Sequence, residues 1–383
     1  MWKHIVANVL TLMIVALVVL GGVVAMAQRA FYAEGPLEQA ICLRVEPGAT
    51  LRAVTESLTE QGAVTYPMLF RVGAQYDGRH ARLRYGSYLV PAGASMDQIL
   101  DIVTRGGAST CGTEVLLRVG IAAAEYQVRE LDPATNRFVE VLDLPLETTE
   151  FPAAYSDIAG RTDTRFRIAI AEGATSWQIW NALSNAEFLT GDLPEVPAEG
   201  SLSPDSYEVR RGESRAELVT EMQDRQSAIL AAAWANRAEG LPLASPEEAL
   251  ILASIVEKET GIAEERRVVA SVFINRLNAP MRLQTDPTVI YGITRGEGVL
   301  GRGLRRSELA ARTPYNTYQI DGLPPTPIAN PGREAIEAVL NPEDTDYLYF
   351  VADGTGGHVF SSTLADHNAN VARWRQIEAG QDQ

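Results

Sequence analysis

The sequence has few of the residues that build disulfide scaffolds and metal centres. Its 383 residues include two cysteines and four histidines, with neither a His-Glu-x-x-His nor a Cys-x-x-Cys motif. Basic residues are also scarce: 33 Lys and Arg stand against 49 Asp and Glu, a formal net charge of -16. Because nucleic-acid affinity depends largely on clustered Lys and Arg, this balance argues against a nucleic-acid partner. The same absences argue against a disulfide-rich fold and a metal enzyme, and we expect no metal and no cofactor.

The composition is that of a folded protein with more than one domain. The chain is 46% hydrophobic and 21% charged, values that argue against disorder and low complexity. At roughly 100–200 residues per domain, the length predicts two or three domains with cores of ordinary size.

A long apolar run lies near the N-terminus. Residues 5–27 are 23 consecutive residues without a charge. About 20 apolar residues span a bilayer, whereas the apolar region of a signal peptide usually has about 7–15. We therefore expect a retained transmembrane helix after a cytoplasmic tail of residues 1–4. Ala25-Met26-Ala27 also fits a small-x-small cleavage site, so a cleaved leader is the alternative, and both readings place the rest of the chain outside the cytosol.

The two cysteines, Cys42 and Cys111, are 69 positions apart. In an oxidising compartment they could form a disulfide that constrains the unfolded chain strongly. The alternative is two buried free thiols, and the sequence leaves both open.

A weak internal repeat follows the apolar run. In each unit an extended segment ends at Gly-x-Thr or Gly-x-Ser and a stretch with helical periodicity begins. The hydroxyl residue is a good helix N-cap, and the preceding glycine permits a sharp turn. The four units begin at Gly48, Gly93, Gly173 and Gly212, which are 45, 80 and 39 residues apart.

The wide middle gap of the repeat indicates an insertion of roughly 40 residues, placed at about 108–163. Two alternating runs, Leu117 to Val128 and Phe138 to Leu144, flank a turn at 132–136 and predict an added hairpin. Generic strand-turn-helix packing accounts for the repeat as well as a glycan-binding module does. A second domain is expected after Gly240-Leu241-Pro242.

One helix of the second domain carries an acid on its apolar side. Ser245-Pro246-Glu247-Glu248 has the N-cap, the first-turn proline and the capping-box Glu of a helix start, and Gly261 follows its end. On a helical wheel Glu259 lies only about 50° from the centre of the apolar arc, whereas Ser254 and Lys258 lie on the polar side. A carboxyl group there is costly unless it is paired or protonated, and burial raises its pKa toward the range of a general acid. The alternative is a Glu259 neutralised by Arg266 or Arg267.

Polar and aromatic residues cluster downstream of this helix. They occupy residues 283–288 and 315–318 and precede Gly322-Leu323-Pro324-Pro325. Amides, hydroxyls and aromatic faces in one region suit a polyol substrate, although Asn, Asp, Thr and Pro are also favoured in ordinary turns.

These motifs together resemble the endolytic murein transglycosylases, the MltG or YceG-like family. The resemblance covers residues 245–368 most closely and the rest of the chain more loosely. The stretches that carry it are Ala253 to Thr260, Val272 to Leu277, Leu283 to Tyr291, Tyr315 to Tyr318, Gly322 to Pro325 and Tyr349 to Gly354.

The resemblance implies an α+β protein with a transmembrane helix at 5–27, a LysM-like α/β region at 28–240 that contains the inserted hairpin, and a C-terminal α+β transglycosylase domain at 241–378. It implies a single-pass protein of the inner membrane with most of the chain in the periplasm. Its expected partners are peptidoglycan glycan strands and the cell-wall synthesis machinery of the membrane.

The implied activity is endolytic cleavage of the bond between N-acetylmuramic acid and N-acetylglucosamine in nascent strands. The cleavage leaves 1,6-anhydro ends, and it would terminate glycan elongation. The resemblance places the catalytic acid at Glu259, the residue that the wheel also selects, with Glu257 as a possible supporting residue. The expected substrate-binding residues are Gln284, Thr285, Asp286, Tyr315, Asn316 and Tyr318.

Two other functions remain open from the sequence. A muramidase would use Asp286 as a second carboxylate and leave a reducing end. A non-catalytic glycan-binding scaffold would need no acid at Glu259.

Overall fold

The protein is described from a computed structural model that covers residues 2–105, 110–193 and 195–381. Residue 1 of the expected cytoplasmic tail and residues 108 and 109 of the expected insertion lie outside the described residues. The fold is a mixed α+β arrangement, as predicted. It divides into two compact units, of which unit 1 contains Met1–Val115, Gln127–Asp143 and Glu150–Arg165, and unit 2 contains Leu116–Tyr126, Leu144–Thr149 and Phe166–Gln383.

The described residues form thirteen α-helices and eleven strands. The helices are α1 (Trp2–Tyr32), α2 (Leu51–Glu60), α3 (Pro67–Tyr76), α4 (Met96–Arg105), α5 (Ala153–Ala159), α6 (Ser176–Asn185), α7 (Arg215–Ala235), α8 (Pro246–Glu259), α9 (Arg266–Asn278), α10 (Asp286–Thr294), α11 (Arg306–Ala310), α12 (Arg333–Leu340) and α13 (Leu364–Gln381). The strands are β1 (Ile41–Val45), β2 (Gly86–Val90), β3 (Thr113–Val119), β4 (Ala124–Asp132), β5 (Arg137–Pro145), β6 (Arg165–Ile170), β7 (Leu189–Thr190), β8 (Ser206–Val209), β9 (Glu213–Ser214), β10 (Tyr349–Ala352) and β11 (His358–Ser361).

Helix α1 contains the predicted apolar run and extends beyond it. Its segment Ile5–Tyr32 is long and apolar enough to cross a membrane. Its residues from Ile5 to Met26 are exposed, whereas Phe31 in the last turn is buried in the core of unit 1. The helix therefore joins an exposed apolar segment to a folded domain.

The four predicted strand-turn-helix units are confirmed. Each has a glycine with positive φ after a strand, followed by a hydroxyl side chain that accepts a backbone N–H of the next helix. These caps are Thr50 on α2, Ser95 on α4, Thr175 on α6 and Ser214 on α7. Their glycines have φ values of 77° at Gly48, 68° at Gly93, 80° at Gly173 and 87° at Gly212.

Unit 1 has its own core around the antiparallel pair β1 and β2. Leu43, Leu58, Phe70 and Ile99 are fully buried in this core, which joins the strands to α2, α3 and α4. The structure pairs Cys42 with Cys111 in a disulfide, with 5.7 Å between their Cα atoms. Of the two alternatives left open by the sequence, the structure therefore contains the disulfide.

The inserted hairpin is formed by β4 and β5, with the predicted turn between them. The run from Leu117 to Val128, predicted as one strand, is broken after Val119, and β4 begins at Ala124. Gly120 lies in this break, where its N–H donates to the carbonyl of Ala123 and closes a tight turn. Strand order in the resulting sheet is β5-β4-β3-β6-β8.

Unit 2 packs α7, α8, α9 and α12 around a second core, which includes Leu252, Ile255, Phe273 and Ile336. Residues 166–240, which the sequence assigned to the LysM-like region, belong to this compact unit together with the expected catalytic segment. Helix α8 contributes Leu252, Ala253, Ile255 and Val256 to this core, and its C-terminal end carries the candidate site.

Candidate active site

Helix α8 places Glu259 at its C-terminal end. Ser245 caps the N-terminus by accepting the N–H of Glu248 at 3.4 Å, and Pro246 occupies the first turn. The predicted capping box forms differently, because the Glu248 carboxylate accepts the N–H of Ala244, at 2.7 Å, one residue before the cap. The chain leaves the helix at Thr260, which has extended φ and ψ.

The prediction for the polar side of α8 is wrong at Ser254. Its side chain is completely buried, donates to the carbonyl of Ile251 and accepts the N–H of Ile328 at 2.9 Å. Lys258 is also partly buried, and its Nζ donates to the carbonyl of Gly173 at 3.2 Å. Segments that precede and follow α8 in the sequence, at Gly173 and Ile328, therefore cover the face that the helical wheel assigned to solvent.

Glu259 is partly buried, and its Oε1 accepts a hydrogen bond from the Thr285 hydroxyl. Burial raises the pKa of Glu259 above its ordinary value, and the negative charge of Asp286 raises it further. The Thr285 hydrogen bond and the nearby His358 and Arg276 oppose this shift. The site therefore favours a protonated carboxyl group and also holds a donor ready for its carboxylate form.

Thr285 is fixed by the loop that precedes α10. It is buried, its N–H donates to the Thr317 hydroxyl at 3.0 Å, and its carbonyl accepts from Thr288 at 2.8 Å. The preceding Gln284 adopts a left-handed φ of 50°, an uncommon conformation for a side chain of this kind. This turn aims the Thr285 hydroxyl at Glu259 and leaves the Gln284 side chain exposed.

Asp286 and Tyr318 form a pair near Glu259. The Tyr318 hydroxyl donates to Asp286 Oδ1 at 2.7 Å. Burial and this carboxylate raise the pKa of Tyr318 above its ordinary value, so the phenol stays neutral. Asp286 is exposed and Tyr318 is partly buried. Together with the exposed Gln284 they place an amide, a carboxylate and an aromatic ring near Glu259.

The other two predicted binding residues point into the protein. The Asn316 amide is fully buried and donates to the carbonyls of Glu308, Leu309 and Ala311. Its Oδ1 accepts the N–H of Tyr318 at 3.0 Å, so its polar groups organise the loop. Tyr315 is buried in the core, and its hydroxyl lies 2.8 Å from that of Thr326.

Glu257 leaves α8 in a different direction from Glu259. Its Oε2 accepts the N–H of Gly332 at 2.9 Å, at the start of α12. Burial raises its pKa, the Gly332 hydrogen bond opposes the shift, and the charge of Glu172 adds to it. The two carboxyl groups do not share partners, which agrees with their separation by two residues on a helix.

Neither arginine considered as a partner for Glu259 is used in that way. Arg266 donates to Glu334, and the Arg267 guanidinium donates to the carbonyl of Asn341 at 2.7 Å. Arg276 is the arginine whose charge acts on Glu259, and it is itself buried, with hydrogen bonds to the carbonyls of Leu348 and Leu283.

Sequence reasoning missed the pair formed by Glu265 and His358. The Glu265 carboxylate accepts the backbone N–H of His358 at 2.9 Å and lies 2.7 Å from its Nδ1, so it contacts both the backbone and the imidazole of His358. His358 begins β11 after the turn between β10 and β11, and its charge acts on Glu259. A single histidine matches no sequence motif, and His358 is too far from Glu259 in the sequence for their proximity in the fold to be predicted.

A second missed carboxyl group is Glu199. It accepts the N–H of Ser176 at 2.8 Å and the hydroxyl of Tyr291 at 3.0 Å, and burial raises its pKa. These bonds connect the start of α6 to α10, the helix that follows Thr285.

Within residues 2–105, 110–193 and 195–381, no group of three or more His, Cys, Asp or Glu side chains is placed to hold a metal ion. The candidate site therefore consists of a partly buried carboxyl group, its hydroxyl donor and an exposed polar rim. Such a group can donate a proton to a substrate and recover it.

Comparisons with known proteins match the chain to one family. The YceG-like family matches residues 146–373, more than half of the chain. An endolytic murein transglycosylase of Streptococcus pneumoniae (strain D39) is 27% identical over 339 residues, which cover 87% of this chain and 58% of the relative. One of Bacillus subtilis (strain 168) is 32% identical over 240 residues, 55% of this chain and 65% of the relative. The chain thus spans less than two thirds of these curated relatives.

A solved structure of a YceG-like protein from Listeria monocytogenes matches 86% of this chain and 99% of its own, with 25% identity and a TM-score of 0.46. The family match contains α8, α9 and α10 and therefore the whole candidate site. By this match the protein belongs to the YceG-like family.

Proposed function

We propose that the protein is an endolytic peptidoglycan lytic transglycosylase with Glu259 as its catalytic acid and base. The observation that carries the proposal is the partly buried Glu259 carboxyl group with a raised pKa and a hydrogen bond from Thr285. Membership of the YceG-like family and the names of the relatives support the same activity.

The proposed reaction uses one carboxyl group twice. Protonated Glu259 donates its proton to the glycosidic oxygen between N-acetylmuramic acid and N-acetylglucosamine as the bond from that oxygen to C1 breaks. The resulting carboxylate takes the proton of the muramic acid 6-hydroxyl, whose oxygen bonds to C1. This closes the 1,6-anhydro ring and restores the acid.

The substrate supplies what a second carboxylate supplies in ordinary glycosidases. The 6-hydroxyl is already attached to the reacting ring, so proximity favours its attack over that of water. The Thr285 hydrogen bond stabilises the carboxylate between the two proton transfers. Gln284, Asp286 and Tyr318 would bind the sugar or its stem peptide, while Tyr315 and Asn316 would shape the loop that carries Tyr318.

The muramidase alternative keeps one supporting observation. The charge of Asp286 acts on Glu259, so the two carboxyl groups are near each other. Asp286 as base or nucleophile would yield a reducing end after attack by water. The scaffold alternative pairs Glu259 with an arginine: Arg266 and Arg267 have other partners, whereas the charge of Arg276 acts on Glu259.

The wider context is part of the proposal. Helix α1 would anchor the chain in the inner membrane, with residues 1–4 in the cytoplasm and both compact units in the periplasm. Residues 28–240 would include a LysM-like glycan-binding region, and residues 241–378 would form the catalytic domain. Cleavage of nascent strands beside the membrane synthesis machinery would terminate glycan elongation.

The test uses the full chain in detergent with uncrosslinked glycan strands, and identifies new ends by mass. The proposal predicts 1,6-anhydro ends from the wild type and their loss in Glu259→Gln, which keeps the shape of the side chain and removes the acid. Glu247→Gln is the matched control, since Glu247 is exposed at the other end of α8. Equal cleavage by Glu259→Gln would refute the role of this residue.

A further inference from the structure

Helix α3 of unit 1 exposes a stripe of apolar side chains. Met68, Val72 and Tyr76 are 72%, 50% and 91% exposed. They recur every four residues, which places them along one face of the helix. Such a row on a domain surface requires an explanation, because the exposure of contiguous apolar side chains to water is unfavourable.

The orientation of α3 follows from its buried contacts. Phe70 and Ala74 are completely buried in the core of unit 1. Gly73 faces the end of α1 so closely that a Cβ there would collide with the Phe31 ring. On a wheel with Gly73 at zero, the core residues lie at about 60–100° and the exposed stripe at about −60 to −140°. The stripe therefore points away from the core and flanks the side that touches α1.

The contact with Phe31 fixes the level of α3 along α1. The apolar run ends at Ala27, and Phe31 follows four residues later. At 1.5 Å per residue this is about 6 Å along the helix axis, which is within the headgroup layer of a bilayer whose apolar core ends near Ala27.

The residues around the stripe suit this layer. Tyr32 and Tyr66 are exposed beside α3, and Tyr85 is exposed in the same unit. Tyrosine is enriched at the boundary between lipid and water, where the ring lies among lipid groups and the hydroxyl stays hydrated.

We propose that the exposed face of α3, defined by Met68, Val72 and Tyr76, rests on the outer leaflet of the membrane that α1 spans. The apolar side chains enter the headgroup region, and Tyr76 lies at its border. This second contact would hold unit 1 against the bilayer instead of letting it turn freely on a single helix. The inference rests on the proposed anchoring by α1.

The test uses the full chain in lipid nanodiscs of phosphatidylethanolamine and phosphatidylglycerol. Each variant has one added cysteine, to which a nitroxide spin label is attached. Labelling is done without reductant, so that Cys42 and Cys111 stay paired. Val72→Cys reports on the stripe, Ala53→Cys is the matched control on the exposed face of α2, and Leu12→Cys reports on the anchor. Collision rates with oxygen, which enters lipid, and with a water-soluble nickel chelate are measured at each site.

The proposal predicts that the label at residue 72 collides more often with oxygen and less often with nickel than the label at residue 53. Both rates at residue 72 should lie between those at residues 12 and 53. High nickel access at residue 72, equal to that at residue 53, would overturn it while a lipid-buried label at residue 12 left the anchor intact. Low rates with both reagents at residue 72 would mean that protein covers this face, for example a second copy, and would also overturn it. Nickel access at residue 12 would refute the anchor and with it this inference.

Discussion

The hydrogen bond from Thr285 to Glu259 provides a quantitative test of the site. Thr285→Val removes the donor from a buried position while changing the shape little. The hydroxyl stabilises the carboxylate form, and a hydrogen bond to a charged group contributes about 1.5–3 kcal/mol. At 1.36 kcal/mol per pKa unit, its loss should raise the pKa of Glu259 by about 1–2 units.

The expected change in activity has a definite sign. In the proposed mechanism Glu259 must be protonated to start the reaction, so wild-type activity should be lost as the pH rises through the pKa of Glu259. With a higher pKa, the Thr285→Val variant keeps the acid form to higher pH, so the alkaline limb of its pH profile moves up by about 1–2 units. Its maximal rate should fall, because the carboxylate formed after the first proton transfer is less stabilised.

The assay is the initial rate of strand cleavage from pH 4 to 10, with the products separated and identified by mass. Thr288→Val is the matched control, since Thr288 is equally buried but donates to the carbonyl of Thr285. An unmoved or lowered alkaline limb in a folded Thr285→Val protein would refute the reasoning. An equal shift in Thr288→Val would refute it as well.

Three further outcomes are expected. Glu259→Gln should unfold at a higher denaturant concentration than the wild type at pH 8 but not at pH 4. Folding raises the pKa of Glu259, so its carboxyl group lowers the stability of the folded protein as the pH rises through that pKa. A difference that does not depend on pH would contradict this. Asn316→Ala should lower the unfolding free energy by about 1–3 kcal/mol, measured in urea, because the fully buried Asn316 amide donates to three backbone carbonyls that lose this donor. Replacing Cys42 and Cys111 by serine should cost about 4 kcal/mol for a 69-residue separation, and an unchanged midpoint would contradict the model of a constrained unfolded state.

Local signals in the sequence predicted local structure well. The Gly-x-Thr caps at Thr50 and Thr175 depend only on residues within four positions, and both formed as expected. The prediction of one strand from Leu117 to Val128 is wrong, because the alternation of apolar and polar residues continues across a tight turn at Gly120.

Contacts between distant segments were beyond the reach of such signals. The helical wheel of α8 correctly placed Glu259 on an enclosed side. It wrongly assigned Ser254 to solvent, because a loop 74 residues away in the sequence covers that face. Asn316 looked like a sugar ligand because amides serve both purposes, and only its three carbonyl partners identify it as a loop residue. The pairing of His358 with Glu265 spans 93 residues and had no sequence signature.

The chemical identity of the new glycan ends tests the central claim most directly. The full chain is incubated with uncrosslinked strands in water enriched in oxygen-18, and the ends are identified by mass. The account predicts 1,6-anhydro-N-acetylmuramic acid ends without the heavy isotope, absent in Glu259→Gln and retained in Glu247→Gln. Reducing N-acetylmuramic acid ends that carry oxygen-18 from the cleavage step would show attack by water and contradict it.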